Sequence, residues 1–346
     1  MLDEKTKKIV NYIRQNPLVS SKKIHEETLP DIGYATVKRL ISNLIKDKLL
    51  EQHGNGKASR YQIAPTYNLF VPIDMDEYFS REIDERKINK TFNFALINDI
   101  LPKLHLFTEE ELTLLDNLQQ KFHNAVAMLS QIEYLQNMEH LAIDLSWKSS
   151  QIEGNTYSLL ETERLLKERE TADGKTKDEA VMLLNHKATL DFILQEPDYL
   201  QMLSISKIEN INSLLINELG VVRNIRIRKV GITGTNYCPL DNEFQIREAL
   251  NDMCNLVNSS ENIFEKALLS LLLLSYIQAF NDGNKRTARI VSNAMLLANG
   301  YCPLSFRTVN SIDYKKAMLL FYEQNNLSAF KQIFITQFKF AVETYF

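Results

Sequence analysis

Residues 267–300, ALLSLLLLSYIQAFNDGNKRTARIVSNAMLLANG, decide how the rest of the chain is read. An apolar run from Ala267 to Phe280 breaks into Asn281-Asp282-Gly283-Asn284. A helical pattern then resumes through Ile290, Val291, Ala294, Met295 and Leu297 and stops at Asn299-Gly300. The first run is helical in length but well short of the roughly 20 residues that span a bilayer, so it predicts a core helix buried on most sides. The second ends with Gly at the C′ position, as helices prefer. The unit is therefore helix, tight polar loop, helix. Asp282 is a hard oxygen ligand of the kind Mg²⁺ takes. Gly283 lets backbone N–H groups approach a phosphate, and the free N–H groups of the next helix add partial positive charge. Lys285, Arg286 and Arg289 place three cations at the same end, and the two arginines, three residues apart, share a face. Cations at a helix N-terminus oppose its macrodipole, which is unfavourable unless an anion lies between them.

The stretch Gln278-Ala279-Phe280-Asn281-Asp282-Gly283-Asn284-Lys285-Arg286-Thr287-Ala288-Arg289 resembles the signature of the Fic (Fido) family, H-x-F-x-D/E-G-N-G/K-R-x-x-R, at every defining position but the first. That family is known mainly for moving AMP from ATP onto a hydroxyl of a target protein. The resemblance implies Mg²⁺ on Asp282, the α-phosphate beside Gly283 and Asn284, and the β- and γ-phosphates on Arg286 and Arg289, with Lys285 alongside. It implies ATP as the nucleotide and a Ser, Thr or Tyr hydroxyl as the acceptor. Gln278 stands where the family has the His that takes the proton from the attacking hydroxyl. A carboxamide has no titratable acceptor near neutral pH, and losing a general base typically costs ~10²–10⁴-fold in rate. Three readings stay open: an impaired adenylyltransferase, a nucleotide-binding pseudoenzyme acting as a DNA-binding regulator, and a phosphotransferase of the Doc kind, in which a Lys occurs at the place of Lys285. The six histidines, His25, His53, His105, His123, His140 and His186, all lie far from the loop in sequence. His186 reads as a half-buried helix residue without a role.

A second stretch, Ser146-Trp147-Lys148-Ser149-Ser150-Gln151-Ile152-Glu153-Gly154-Asn155, resembles the family's inhibitory motif, S/T-x-x-x-E-G/N, through Ser149, Glu153 and Gly154. Ser149 and Glu153 are i and i+4 on one helix face, and Gly154 closes the helix. The resemblance implies that Glu153 pairs with Arg289, where carboxylate and γ-phosphate compete for one guanidinium. Lying before the signature, the motif resembles that of the members whose inhibitory helix precedes the Fic core. Val221 to Pro239 is the one β-like patch outside the N-terminal region, with Ile225, Ile227 and Lys229 alternating with Arg226 and Arg228 and glycines at 231 and 234. In the family such a segment is a flap that clamps the target's backbone by adding a strand. Arg223 and Pro239 sit where the family often has such residues.

The N-terminal 65 residues carry twelve Lys/Arg against seven Asp/Glu, an excess of five positive charges, on a chain whose net charge is −4. The other 281 residues therefore carry nine negative charges in excess. A basic head on an acidic body suggests an anionic partner for the head. Helical spacing over residues 3–15, a short helix through Glu27 capped by Ser20 or Ser21, and a third helix carrying Val37, Leu40, Ile41, Leu44 and Ile45 precede a hairpin about Gly54-Asn55-Gly56-Lys57. This order resembles a winged helix-turn-helix, whose third helix enters the major groove. Lys38 and Arg39 on that helix, and Lys57 and Arg60 on the wing, are the candidate nucleic-acid contacts. Such modules also serve docking or dimerisation, so a homodimer is the competing expectation.

The resulting expectation is a mostly α chain: a winged helix-turn-helix over 1–65, a helical junction over 66–108 with a charged helix near 78–90, and a Fic-type domain with a small β-hairpin flap over 109–346. The inhibitory helix falls near 143–154, inside a helical pattern that begins at Glu109. Three widely spaced cysteines, Cys238, Cys254 and Cys302, read as reduced thiols without metal-ligand spacing. With no apolar leader segment in MLDEKTKKIV, the expectation is a cytoplasmic protein without a membrane partner.

Overall fold

The computed structural model describes residues 3–346. They divide into two compact units, the first formed by Met1–Asp74 with the loop Gln324–Ser328, the second by Met75–Glu323 and Ala329–Phe346. The first unit therefore takes in residues 66–74, which the sequence assigns to the junction. Its short helix α4 (Pro65–Phe70) buries Tyr67 in the core of the head.

The head holds α1 (Glu4–Gln15), α2 (Ser21–Thr28) and α3 (Tyr34–Lys46), then β1 (Leu50–His53) antiparallel to β2 (Arg60–Ile63) in the register Leu50↔Ile63 to His53↔Arg60. The first two helices start where side chains accept free backbone N–H groups: Asp3 from Thr6, and Ser20 from Lys23. Ile9, Val10, Ile13, Ile24, Val37, Ile41 and Leu44 meet in one apolar core with Leu50 and Tyr61. The hairpin bend requires glycine at Gly54, where φ is +77° and an added Cβ would lie 3.1 Å from the Ala58 carbonyl.

The second unit starts with α5 (Met75–Phe79). Residues 78–90 form no charged helix. They hold a single 3-10 turn at Ile83–Glu85, because Arg86 is drawn inward to Glu323 (3.2 Å) and to the Gly234 carbonyl (2.7 Å). The pattern from Glu109 to Ile143 is two helices, α6 (Glu109–Met128) and α7 (Gln131–Ile152). The break is chemical: Ser130 and Glu133 form a reciprocal capping box that starts a new helix. The same device starts α6 (Thr108/Glu111), α8 (Leu159–Glu168; Ser158/Glu161) and α9 (Lys177–Gln195; Thr176/Glu179).

There follow α10 (Ile205–Leu215), α11 (Glu243–Ser259), α12 (Ile263–Ile277), α13 (Asn284–Ala298), α14 (Ser311–Gln324) and α15 (Ser328–Tyr345). Every residue of α12 from Ala267 to Ile277 is buried. At about 1.5–3 kcal/mol per buried leucine or isoleucine, this helix anchors the unit. Its broadest packing is on α13, with α11 on another side. No helix among the described residues is long and apolar enough to cross a membrane, and Cys238, Cys254 and Cys302 are unpaired.

The only two-stranded sheet among the described residues is the wing. The chain from 221 to 239 does not fold back as a hairpin. It runs without self-pairing and makes one parallel bridge, Cys238 with Thr91. Its alternating residues are held individually: Ile225 and Arg226 are buried while Ile227 stands 71 % exposed. The segment is tethered through the Arg226 guanidinium, the Arg226 N–H to the Ala279 carbonyl (3.0 Å) and the Cys238 N–H to the Lys90 carbonyl (2.8 Å), so its partners come from other parts of the unit and not from a second strand of its own.

Candidate nucleotide site

The loop between α12 and α13 is closed by its own side chains. Asn284 accepts the Phe280 N–H (2.8 Å) and donates to the Phe280 carbonyl (2.7 Å), so a single buried amide fixes both ends of a five-residue bend. Asn212, on α10, donates to the Asp282 carbonyl (3.0 Å) and to the Thr287 hydroxyl (3.1 Å). Gly283 has φ +77°, and a Cβ there would meet Asn212 Nδ2 at 2.9 Å and Ile216 Cγ2 at 3.2 Å. Glycine is thus demanded twice, by backbone angle and by contact. The Asp282 carboxylate accepts the Gly283 N–H (2.6 Å) and bonds Arg286 (2.8 Å), with half of its side chain open to solvent.

The three cations reach one place. Arg289 is wholly buried and donates from Nε to the Ser149 hydroxyl (2.8 Å), and from Nη2 to the Ser149 carbonyl (3.0 Å) and Glu153 Oε1 (2.8 Å). Lys285 adds a contact to the other Glu153 oxygen at 3.4 Å. Burial by itself would raise the Glu153 carboxyl, but Arg289 and then Lys285 outweigh it and hold the group below the ordinary carboxylate range. The Tyr314 ring lies 5.4 Å beneath the Arg289 guanidinium. Several buried polar atoms here have no partner: Arg286 Nε, Arg289 Nη1, Tyr314 OH and Ser150 Oγ. Orphaned guanidinium nitrogens suit an anion. Ser149 and Glu153 thus meet Lys285 and Arg289 side chain to side chain.

At the opposite end of the loop, Gln278 terminates α12 in the left-handed conformation (φ +52°). Its Nε2 donates to the Ser275 carbonyl (2.6 Å) and lies 3.4 Å from the Tyr322 hydroxyl. Burial pushes Tyr322 well above its ordinary pKa, so that phenol stays protonated and accepts no proton from a substrate. Arg226 holds the Gln278 carbonyl from below (2.6 Å) and also binds the carbonyls of Arg228 (2.8 Å) and Leu240. His186, expected half-buried, is fully buried. It is close enough to Arg289 and Arg286 that burial first, and their charges second, keep it neutral. Its Nδ1 lies 3.2 Å from the Ser146 hydroxyl.

Sequence reading gives no site role to Asn212, Tyr314 or His186, and takes Arg226 only as part of the alternating pattern of 225–229. Arg223 reaches only Asn217 (2.7 Å) and is exposed. In the head, Lys38 and Arg39 on α3 and Lys57 and Arg60 at the wing are all exposed. They share that surface with Tyr34, Ser42 and Asn43.

Residues 202–296 match the model of the Fic/DOC family. Over 170 residues the chain is 26 % identical to protein adenylyltransferase fic-1 of Caenorhabditis elegans, covering 47 % of this chain and 33 % of that protein. Over 230 residues it is 28 % identical to protein adenylyltransferase Fic of Nematostella vectensis, covering 62 % and 51 %. The chain therefore spans between a third and about half of the length of these relatives. Among solved structures it superposes on a Fic-1 fragment from Caenorhabditis elegans with a TM-score of 0.59 at 19 % identity, over 68 % of this chain and 72 % of that one. A Fic-domain signaling protein from Bacteroides thetaiotaomicron gives 0.56 at 19 %, over 67 % and 95 %. The helical fold around the 280–289 loop is similar to that of solved Fic-domain structures, and residues 202–296 carry the match to the Fic/DOC family.

Proposed function

We propose that this chain is a Fic-type protein adenylyltransferase whose triphosphate site is held shut by Glu153. One observation carries the reading: Arg289, the guanidinium that would hold the far end of the triphosphate, is engaged by Ser149 and Glu153, whereas the loop that would hold the near end is already built. The residues fit Mg-ATP. Asp282 offers a half-exposed carboxylate, and no group of three His, Cys, Asp or Glu gathers into a metal cage among the described residues. Mg²⁺ usually takes one or two carboxylates and completes its shell with phosphate oxygens and water. When bound it would neutralise phosphate charge. Gly283 and the start of α13 would face the α-phosphate, and Arg286 with Arg289 would orient the leaving pyrophosphate. The acceptor would be a protein hydroxyl presented along the extended chain of 221–239. Gln278 can position that hydroxyl but not take its proton.

The buried amide at Gln278 favours a second reading, a nucleotide-binding protein with little or no transfer activity. One assay separates the readings. Wild type, Glu153→Gly and Glu153→Gly with Gln278→His are incubated with α- and γ-labelled ATP and a lysate. Label from α-ATP on protein in the single variant supports the enzyme. Label only after Gln278→His supports the pseudoenzyme, and label from γ-ATP alone would make it a phosphotransferase instead. The exposed Lys38, Arg39, Lys57 and Arg60 support duplex DNA as the head's partner, with α3 in the major groove and the wing on phosphates. Replacing Lys57 and Arg60 by Ala should weaken DNA binding similarly across sequences and flatten its salt dependence by roughly two contacts. Unchanged gel shifts would retire that assignment.

A further inference from the structure

Glu153 caps the C-terminal end of α7, and the next residue, Gly154, has φ +103° with open space where a Cβ would be. Helix ends fray, and a glycine joint beside the cap makes this one easy to swing. Ser149 on α7 and the ion pair itself hold Glu153 at Arg289, and the strap that follows adds a further restraint. Thr156 donates its N–H (2.8 Å) and its hydroxyl (2.6 Å) to Glu179 Oε1, while Glu179 Oε2 takes the N–H (3.0 Å) and hydroxyl (2.9 Å) of Thr176 at the start of α9. Asn155 donates to the Glu179 carbonyl (2.8 Å), and Lys175 donates to the Thr156 carbonyl (2.7 Å). One carboxylate therefore joins two chain segments, the cap of α9 and the residue three past Glu153.

We propose that Glu179 is the positioning residue of the inhibitory contact: by pinning Thr156 to the N-terminus of α9 it keeps Glu153 seated on Arg289. The inference rests on Glu153 being the inhibitory carboxylate. Four donated hydrogen bonds need a full carboxylate, since an amide offers one oxygen and brings its own donors. Those bonds, from the Thr156 hydroxyl first, hold Glu179 down to about 2, so the strap stays charged at any physiological pH. The strap lies at the surface: Thr156 and Thr176 are exposed and Glu179 is half-buried. It can be loosened without opening the core.

The test is a double-mutant cycle on the full chain, reading Mg-ATP affinity by calorimetry with Glu179→Ala in the wild-type and Glu153→Gly backgrounds. The expected result is tightening by about fivefold or more in the wild type. In the Glu153→Gly background, where the residue has nothing left to position, the change should be under about twofold. Thr156→Val should move affinity in the same direction by a smaller factor, and it decides the matter if Glu179→Ala shows no cooperative melt. A residue that merely held the fold together would weaken binding in both backgrounds, which overturns the proposal. So does unchanged affinity in Glu179→Ala when Glu153→Gly tightens. If Glu153→Gly itself leaves affinity unchanged, the inhibitory reading falls and this inference falls with it.

Discussion

The two ends of the 278–289 loop are built to opposite specifications. At the Arg289 end the guanidinium donates to a hydroxyl, a carbonyl and a carboxylate, two of its three nitrogens are engaged, and a competing carboxylate is already in place. At the Gln278 end the side chain spends its donor on a backbone carbonyl and meets a phenol that stays protonated. In the proposed function the first end is binding machinery under restraint, and the second has geometry without a proton acceptor. Gripping a nucleotide and moving a proton are separate tasks, and on that reading only the first is fully equipped.

The two ends differ most at position 278. With Glu153→Gly in place, Gln278→His should raise protein labelling by about 10²–10⁴-fold, the usual worth of a general base, while ATP affinity changes little. Equal labelling with Gln or His there would mean that the proton leaves by another route. Next in size is Gly283→Ala, which drives a methyl onto Asn212 and Ile216 and strains a positive φ. In the Glu153→Gly background it should weaken Mg-ATP binding by at least tenfold and cost about 1–3 kcal/mol of stability by denaturant titration. Retained affinity would show that the loop's backbone does not approach a phosphate.

Much of this was legible in the sequence, because the informative features were local. The buried run of α12, the Asn-Asp-Gly-Asn bend and the Ser149/Glu153 spacing each depend on a few consecutive residues, and the structure brings them together where their chemistry requires. The Ser130/Glu133 break was equally local but lay inside a continuous apolar period, so periodicity hid it. Arg226 and Asn212 were illegible for a different reason. A buried Arg looks in sequence like any exposed strand cation, and its three carbonyl partners come from residues 228, 240 and 278. The flap pattern predicted a hairpin because alternation signals extended chain. It does not say which chain supplies the neighbouring strand.

Smaller effects sharpen the contrast through pH. The Glu153 carboxyl is held below its ordinary value, so its contact with Arg289 is intact above about pH 4.5 and is lost only as pH falls further. The ratio of ATP affinities between Glu153→Gly and wild type should therefore be flat from about pH 8 to 5. A ratio that shrinks towards neutrality would place a titrating group in the lock. His186 is depressed below its ordinary 6.5, so the unfolded chain binds the proton first and stability should fall as pH drops below 6.5, by at most about 1.4 kcal/mol per unit. His186→Asn should flatten that slope in urea titrations between pH 7 and 5. An unaltered slope would assign it to other groups.

One carboxylate and one phosphate are proposed to compete for Arg289. Isothermal titration of Mg-ATP into the wild-type chain and into Glu153→Gly addresses it with no assumption about catalysis or targets. The account predicts weak or undetectable binding in the first and binding at least tenfold tighter in the second, with a higher melting temperature at saturating nucleotide. Equal affinity in both proteins would contradict it.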